Sequence, residues 1–209
     1  YWRFADQNGA NWEPGNMLVA CLVLAAGQST RFGAANKLLA EIDGRPVIHH
    51  VVSEALASRS TGVHVIIQPD SQRISSALAG LPVTHCINRD FTSGIGTSIA
   101  TGIRSLPHEI TGALILPADM PWMRALVLDE LIAAFENSGC RQVTIPITAA
   151  GEQRNPILWP RNYFAALSKL HADRGAKPLI PKAHDRCQKV IIGDELVFLD
   201  VDRPSDLSP

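Results

Sequence analysis

The chain has 209 residues, is 46% hydrophobic and 19% charged, and carries a formal net charge of −1. That length suits one sizeable α/β domain, and the near-neutral balance excludes bulk attraction to nucleic acid or to an anionic membrane. Gly, Pro or charge breaks each long apolar run within about ten residues, short of a membrane span.

Residues 1–16 stand apart. They hold two Trp, two Gly, three Asn and one Pro, with no helix or strand period. No basic segment leads into an apolar one, so they do not read as a signal peptide. They are read as an extension or tag-like tail, and residues 17–209 as a single domain. From Met17 onward strand and helix signals alternate. Apolar runs predict strands at Val19–Leu24, Val63–Ile67, Val83–Ile87, Ala113–Leu116, Val143–Ile145, Ile157–Trp159, Lys189–Ile192 and Val197–Val201. Helical patterns lie between them at Pro46–Ser58, Ser71–Leu78, Gly96–Leu106, Arg124–Phe135 and Arg161–Leu170. In the first of these, Val47, Ile48, Val51, Val52, Ala55 and Leu56 form one apolar face. The alternation predicts an α/β fold, a doubly wound and mostly parallel sheet with helices on both faces. Ligands in such sheets bind past the carboxyl ends of strands, so a polar residue just beyond an apolar strand is a site candidate.

The first strand runs into Leu24-Ala-Ala-Gly-Gln-Ser-Thr-Arg-Phe-Gly-Ala-Ala-Asn-Lys-Leu-Leu39. The small residues Ala25, Ala26 and Gly27 would let backbone N–H groups approach an anion. Arg31 offers a planar fork of donors and Lys37 a movable point charge. The segment is neither a Walker A motif nor a Gly-x-Gly-x-x-Gly fingerprint. It reads as a phosphate-handling loop, against the alternative of an ordinary strand-to-helix turn.

Asp119 follows the apolar run Ala113–Leu116 between two prolines. A carboxylate there suits Mg²⁺ and equally suits a turn or helix cap. Gly94 and Gly96 precede a helix whose first turn carries Thr97 and Ser98. That helix start could hold a phosphate or a nucleobase edge, or be a plain capped helix. Gly151 to Arg154 reads as a hairpin-like turn. Beyond it, Asn155, Asp173, Arg174 and Lys177 are candidate contacts to an anionic second substrate, or members of solvated loops. Asp200 and Asp202 alternate along a predicted terminal strand, so only one of them should face the site. Asp206 fits the first turn of a short helix starting at Pro204.

The four cysteines, Cys21, Cys86, Cys140 and Cys187, form no Cys-x-x-Cys motif. They are read as reduced, which makes the cytoplasm the expected compartment. The seven His residues show no ligand spacing, and no Ser/His/Asp triad has a nucleophile-elbow setting.

Taken together and in order, these segments resemble the MobA-like nucleotidyltransferases, most of all the molybdenum cofactor cytidylyltransferase branch. Leu24 to Leu38 reproduces the signature Leu-Ala-Ala-Gly-x-Ser-x-Arg-(Met/Phe)-Gly-x-x-Asn-Lys-Leu. Ala118-Asp-Met-Pro121 matches the family's metal Asp, and Gly94 to Gly102 its Gly-x-x-x-Ser-Ile-x-x-Gly. Asn155-Pro-Ile-Leu158 and Asp173-Arg-Gly-Ala176 match later segments. Ala172 stands where a Gly usually precedes the Asp, and Arg203 where a Thr usually precedes the Pro. The resemblance implies a three-layer α/β/α Rossmann-like nucleotidyltransferase fold with a mixed sheet. It implies transfer of a nucleotide from an NTP to a phosphate-bearing acceptor, with pyrophosphate released. Ala26 and Asn36 look like the cytidylyl branch, so the implied substrates are CTP and molybdopterin, with Mg²⁺ as cofactor. A molybdoenzyme or its accessory protein is the implied protein partner.

By this resemblance Arg31, Lys37 and Asp119 are catalytic. Leu24, Ala25, Ala26, Gly27, Gly94 and Ser98 join them in binding the nucleotide. Asn155, Asp173, Arg174 and Gly175 hold the acceptor, and Asp119, Asp200 and Asp202 hold the metal. The alternatives are guanylyl transfer to molybdopterin, cytidylyl transfer to a sugar or polyol phosphate, or a non-catalytic nucleotide sensor.

Overall fold

The structure is a computed structural model and describes residues 17–27, 32, 36–173, 175–180 and 187–207. Its centre is a sheet of seven strands in the order β5-β4-β1-β6-β8-β7-β9. The members are β1 (Val19–Leu24), β4 (Gly62–Ile67), β5 (Thr84–Ile87), β6 (Gly112–Pro117), β7 (Val143–Ile147), β8 (Ile157–Pro160) and β9 (Cys187–Ile191). β1 pairs in parallel with β4 and β6, and β4 with β5. β8 runs antiparallel to both β6 and β7, which makes the sheet mixed.

Side chains alternate across the sheet and feed two apolar clusters. On one face Val19, Cys21 and Val23 of β1 and Leu114 and Leu116 of β6 meet α1 (Val47–Ala57), α2 (Gln72–Ala77) and α4 (Ala125–Asn137). On the other, Leu22, Ala113 and Ile115 meet Ile99 and Ile103 of α3 (Ile95–Ser105) and Leu167 of α5 (Phe164–Leu167). Burial on both faces explains why β1, β4 and β6 read as continuous apolar runs instead of alternating ones. The result is the expected three-layer α/β/α fold. Among the described residues no helix is long and apolar enough to cross a membrane.

The helices follow their apolar faces. Val47, Ile48, Val51, Val52 and Ala55 of α1 are all buried. α1 also caps its neighbour: Glu54 accepts the Ala125 N–H, a free donor of the first turn of α4, at 2.7 Å. Arg161–Leu170 does not form one helix. It splits into a 3₁₀ turn, Arg161–Tyr163, and the four-residue α5.

Two further differences from the sequence reading bear on the site. A small hairpin of β2 (Glu41–Ile42) and β3 (Arg45–Pro46) precedes α1. Its turn, Asp43-Gly44, has positive φ at both residues, 51° and 73°, which an Asp-Gly pair favours. The predicted strand Val197–Val201 is instead a 3₁₀ turn, Glu195–Phe198, leading into irregular chain. Asp194 caps that turn by accepting the Leu196 N–H at 3.1 Å. The buried positions are Val197 and Val201, with Leu196 and Leu199 exposed, a spacing no half-buried strand has.

Candidate active site

Strand order reverses at β1: β4 and β5 lie on one side of it, β6 on the other. The carboxyl ends of β1 and β6 therefore form a topological switch point. An open cavity of about 460 Å³ lies there, with Leu24, Ala26 and Gly27 from the end of β1 and Pro117 and Asp119 from the end of β6 in its wall. Gln68, the first residue past β4, braces the β1 loop by donating to the carbonyls of Ala26 and Gly27, both at 3.1 Å. Ala25 does not line the cavity. Its N–H donates to Ile66 O at 2.8 Å, and its side chain is packed in the α1-side core. That N–H continues the β1–β4 pairing and is not available to a phosphate, contrary to the sequence reading. Arg31 lies outside the described residues.

Lys37 begins a 3₁₀ turn, Lys37–Leu39, capped by Asn36, whose side chain accepts the Leu38 N–H at 3.0 Å. The Lys37 ammonium donates to Asp119 Oδ2 at 2.6 Å and to Asp202 Oδ1 at 2.9 Å. Burial would lower its pKa, but the charges and hydrogen bonds of Asp119 and Asp202 outweigh that and hold it above the usual lysine value.

Asp119, Asp200 and Asp202 converge. One carboxylate oxygen from each lies within 4.8 Å of the others. Only Asp202 of the pair lines the cavity, as expected, but both join Asp119 in the carboxylate cluster, and the reason is the missing strand. In place of strict alternation, the Val201 N–H donates to Asp119 O at 2.8 Å and turns the chain so that both flanking carboxylates come forward. Asp206 fixes this segment by accepting the N–H groups of Asp202 and Arg203 at 3.0 and 2.8 Å. Those bonds, the Arg203 one first, hold the Asp206 carboxyl below the usual range. Burial, then Asp119, push the Asp200 carboxyl up, with Asp202 adding to the rise. Three hard oxygen donors of this charge fit a divalent cation of the Mg²⁺ or Mn²⁺ kind.

The opposite wall is the start of α3, where Gly94, Ile95 and Ser98 line the cavity beside Phe91, Thr92 and Asp173. Gly94 has φ +109°, and a Cβ there would sit 2.3 Å from Asp173 Oδ1. Gly96 donates its N–H to Ala172 O at 3.0 Å, and a Cβ on it would lie 2.8 Å from that oxygen. The two glycines thus seat residues 171–173 against α3. Ala172 itself takes φ +62°, which accounts for a Gly being usual there in the family pattern. Of the proposed acceptor residues, Asp173 lines the cavity. Gly175 is buried against Ile95, 3.3 Å from its would-be Cβ, at φ +52°. Asn155 is exposed ahead of β8 and does not line the cavity, nor does Lys177. Arg174 lies outside the described residues. Sequence reasoning missed Gln68 and Asn88. Both stand at the first position past a strand, the signal that it had already named.

A family model for the MobA-like NTP transferase domain matches residues 21–187. The chain belongs to the MobA-like NTP transferase family. A curated relative, the bifunctional protein GlmU of Leifsonia xyli subsp. xyli, is 33% identical over 142 residues, 65% of this chain. The match spans only 29% of that GlmU's length. The fold superposes on Rv0371c of Mycobacterium tuberculosis H37Rv with a TM-score of 0.79 at 21% identity, covering 91% of this chain and 95% of that one. Rv0371c has also been solved in complex with manganese. The molybdopterin-guanine dinucleotide biosynthesis protein A of Archaeoglobus fulgidus superposes with a TM-score of 0.63 at 16% identity, covering 90% and 94% of the two chains. These likenesses place this MobA-like chain among the nucleotidyltransferase folds.

Proposed function

We propose that this MobA-like protein is a Mg²⁺-dependent nucleotidyltransferase that moves CMP from CTP to the phosphate of molybdopterin and releases pyrophosphate. The observation that carries the reading is the meeting of Lys37 with Asp119, Asp200 and Asp202 at the edge of the switch-point cavity. An acceptor phosphate oxygen forms the new bond to the α-phosphorus. The bond from that phosphorus to the bridging oxygen breaks, and the electron pair leaves with pyrophosphate. A phosphate monoester is already ionised near neutral pH, so no general base is required. Catalysis is then positioning and charge stabilisation.

The residues divide that work. The backbone at Leu24, Ala26 and Gly27 and the side chains of Arg31 and Lys37 bind the phosphates. Gly94 and Ser98 face the base, and Asp173 faces the acceptor. Asp119, Asp200 and Asp202 would hold the cation, which when bound neutralises phosphate oxygens. A divalent metal gains support from the oxygen-only donor set and from the manganese complex of Rv0371c. CTP gains support from the Ala25-Ala26 and Asn36-Lys37 pairs. A thermal-shift series with CTP, GTP, ATP and UTP in the presence of Mg²⁺ tests the reading. The largest stabilisation is expected with CTP. A larger shift with GTP would move the assignment to guanylyl transfer, and no shift with any of the four would overturn it.

A further inference from the structure

Asn88 is the first residue past β5 and is 1% exposed. One contact fixes which way its carboxamide points. Its Oδ1 accepts the Asp90 backbone N–H at 3.0 Å, a group that can only donate. The Nδ2 therefore faces the other way and places its two hydrogens on Thr97 Oγ1 at 2.9 Å and Ser98 Oγ at 3.0 Å. Thr97 completes its bonding within the protein, with Asp90 O at 3.0 Å and Gly94 O at 2.8 Å from its hydroxyl. Ser98 differs. Its hydroxyl accepts from Asn88 and donates to no described residue, and Ser98 lines the cavity.

With one oxygen lone pair taken by Asn88, the Ser98 hydrogen is turned away from the amide and remains free for a partner in the cavity. We infer that Asn88 is a specificity-determining positioning residue. It leaves the Ser98 hydrogen unspent on the amide, so the hydroxyl stays able to donate to an acceptor on the nucleobase edge, a ring nitrogen or carbonyl. Were an acceptor to stand in place of the amide, it would draw the Ser98 hydrogen to itself and that donation to the nucleobase would be lost. This inference rests on the reading of the cavity as a nucleotide site.

Substituting Asn88→Asp tests the polarity directly. A carboxylate keeps the acceptor for the Asp90 N–H but has no hydrogen to give. Both hydroxyls must then donate to it, and Ser98 turns its lone pairs to the cavity. Calorimetric affinities for CTP, UTP, GTP and ATP with Mg²⁺ are compared for wild type, Asn88→Asp, Ser98→Ala and the double variant. Asn88→Asp is expected to weaken the preferred nucleotide roughly tenfold, the usual scale for one mispaired polar contact, and to flatten the preference among the four. Ser98→Ala should lose about as much, and the double variant no more than Ser98→Ala alone, because Asn88 acts through Ser98. Losses that add in the double variant, or an unchanged preference in Asn88→Asp, would overturn the inference. If Asn88→Asp does not fold, Ser98→Ala decides alone: unchanged affinity and preference would mean there is no donor for Asn88 to orient. Wild type that binds none of the four nucleotides would overturn the nucleotide reading itself, whereas binding indifferent to these variants overturns the inference only.

Discussion

The Lys37 ammonium bridges Asp119 and Asp202, 2.6 Å from one carboxylate and 2.9 Å from the other. It occupies the charge-neutralising position that a divalent cation would compete for. On the proposed function, a cation held by Asp119, Asp200 and Asp202 would compete with Lys37 for Asp119 and Asp202, and the released ammonium would turn to the phosphates. On the same reading, Lys37 would oppose metal binding before nucleotide arrives and assist transfer afterwards. Lys37→Met should raise the affinity for Mn²⁺ alone by roughly an order of magnitude, since it removes a positive charge a few ångströms away. The same variant should lose roughly 10²–10³ in transfer rate, the cost of one preorganised charge-stabilising group. Titration of Mn²⁺ without nucleotide checks the first effect. An affinity unchanged or lowered would contradict the exchange.

Asp206 meets the aspartate cluster through the backbone, accepting the N–H groups of Asp202 and Arg203. Asp206→Ala should loosen the Asp202 carboxylate and lower Mn²⁺ affinity by about tenfold, as groups that orient ligands typically do. Asp119→Asn, which removes a ligand oxygen's charge, should lower it further. Equal affinities for wild type and Asp206→Ala would show that Asp202 needs no such support.

Gly94 and Ala172 face each other across the α3 start with opposite strain. Gly94→Ala places a Cβ within 2.7 Å of backbone and side-chain atoms of residues 172–173 at φ +109°, so the loop must move away from the cavity. Weaker nucleotide binding and a lower melting temperature are expected together. Ala172→Gly relieves a left-handed residue at φ +62° and should stabilise the fold by up to about 1 kcal/mol, part of the gain being offset by a freer unfolded chain. Chemical denaturation measures both. A destabilised Ala172→Gly would mean that the methyl group contributes packing that outweighs the strain.

His64, in the middle of β4, is buried beside Ser105 and Cys86, 3.3 and 3.8 Å from its Nδ1. Burial holds its pKa below the ordinary 6.5. The unfolded chain then binds the proton more readily than the folded one. Stability contributed by this residue is complete above about pH 6.5 and falls as pH drops from there to the lowered folded value. His64→Asn should flatten that part of the stability–pH curve. A curve of the same slope in wild type and variant would assign the acid sensitivity elsewhere.

Much of the fold could be read in the sequence because both sheet faces are covered. Val19–Val23 and Ala113–Leu116 are buried on either side, and their unbroken apolar runs are the direct consequence. Asp119 could be found because it stands just past such a run. The Asp43-Gly44 pair carries a legible turn signal, but its strands are only two residues long and too short for any alternation to mark them. Val197–Val201 misled because β-branched content resembles a strand, whereas the Asp194 cap and the Val201–Asp119 bond decide its path. The partners of Lys37 lie 82 and 165 residues away in the chain. No local pattern carries such a pairing. The pairing of Lys37 with Asp119 and Asp202 therefore follows from the assembled strands alone.

Pyrophosphate release reports directly on metal-dependent nucleotidyl transfer at the Lys37–Asp119 site. CTP, GTP, ATP and UTP are each supplied with Mg²⁺, with and without molybdopterin, to wild type, Lys37→Ala and Asp119→Ala. Release that requires molybdopterin, is fastest with CTP, is abolished by chelator and falls by roughly 10²–10³ in either variant is predicted. Full activity in both variants, or pyrophosphate release that survives complete removal of divalent metal, would contradict the account.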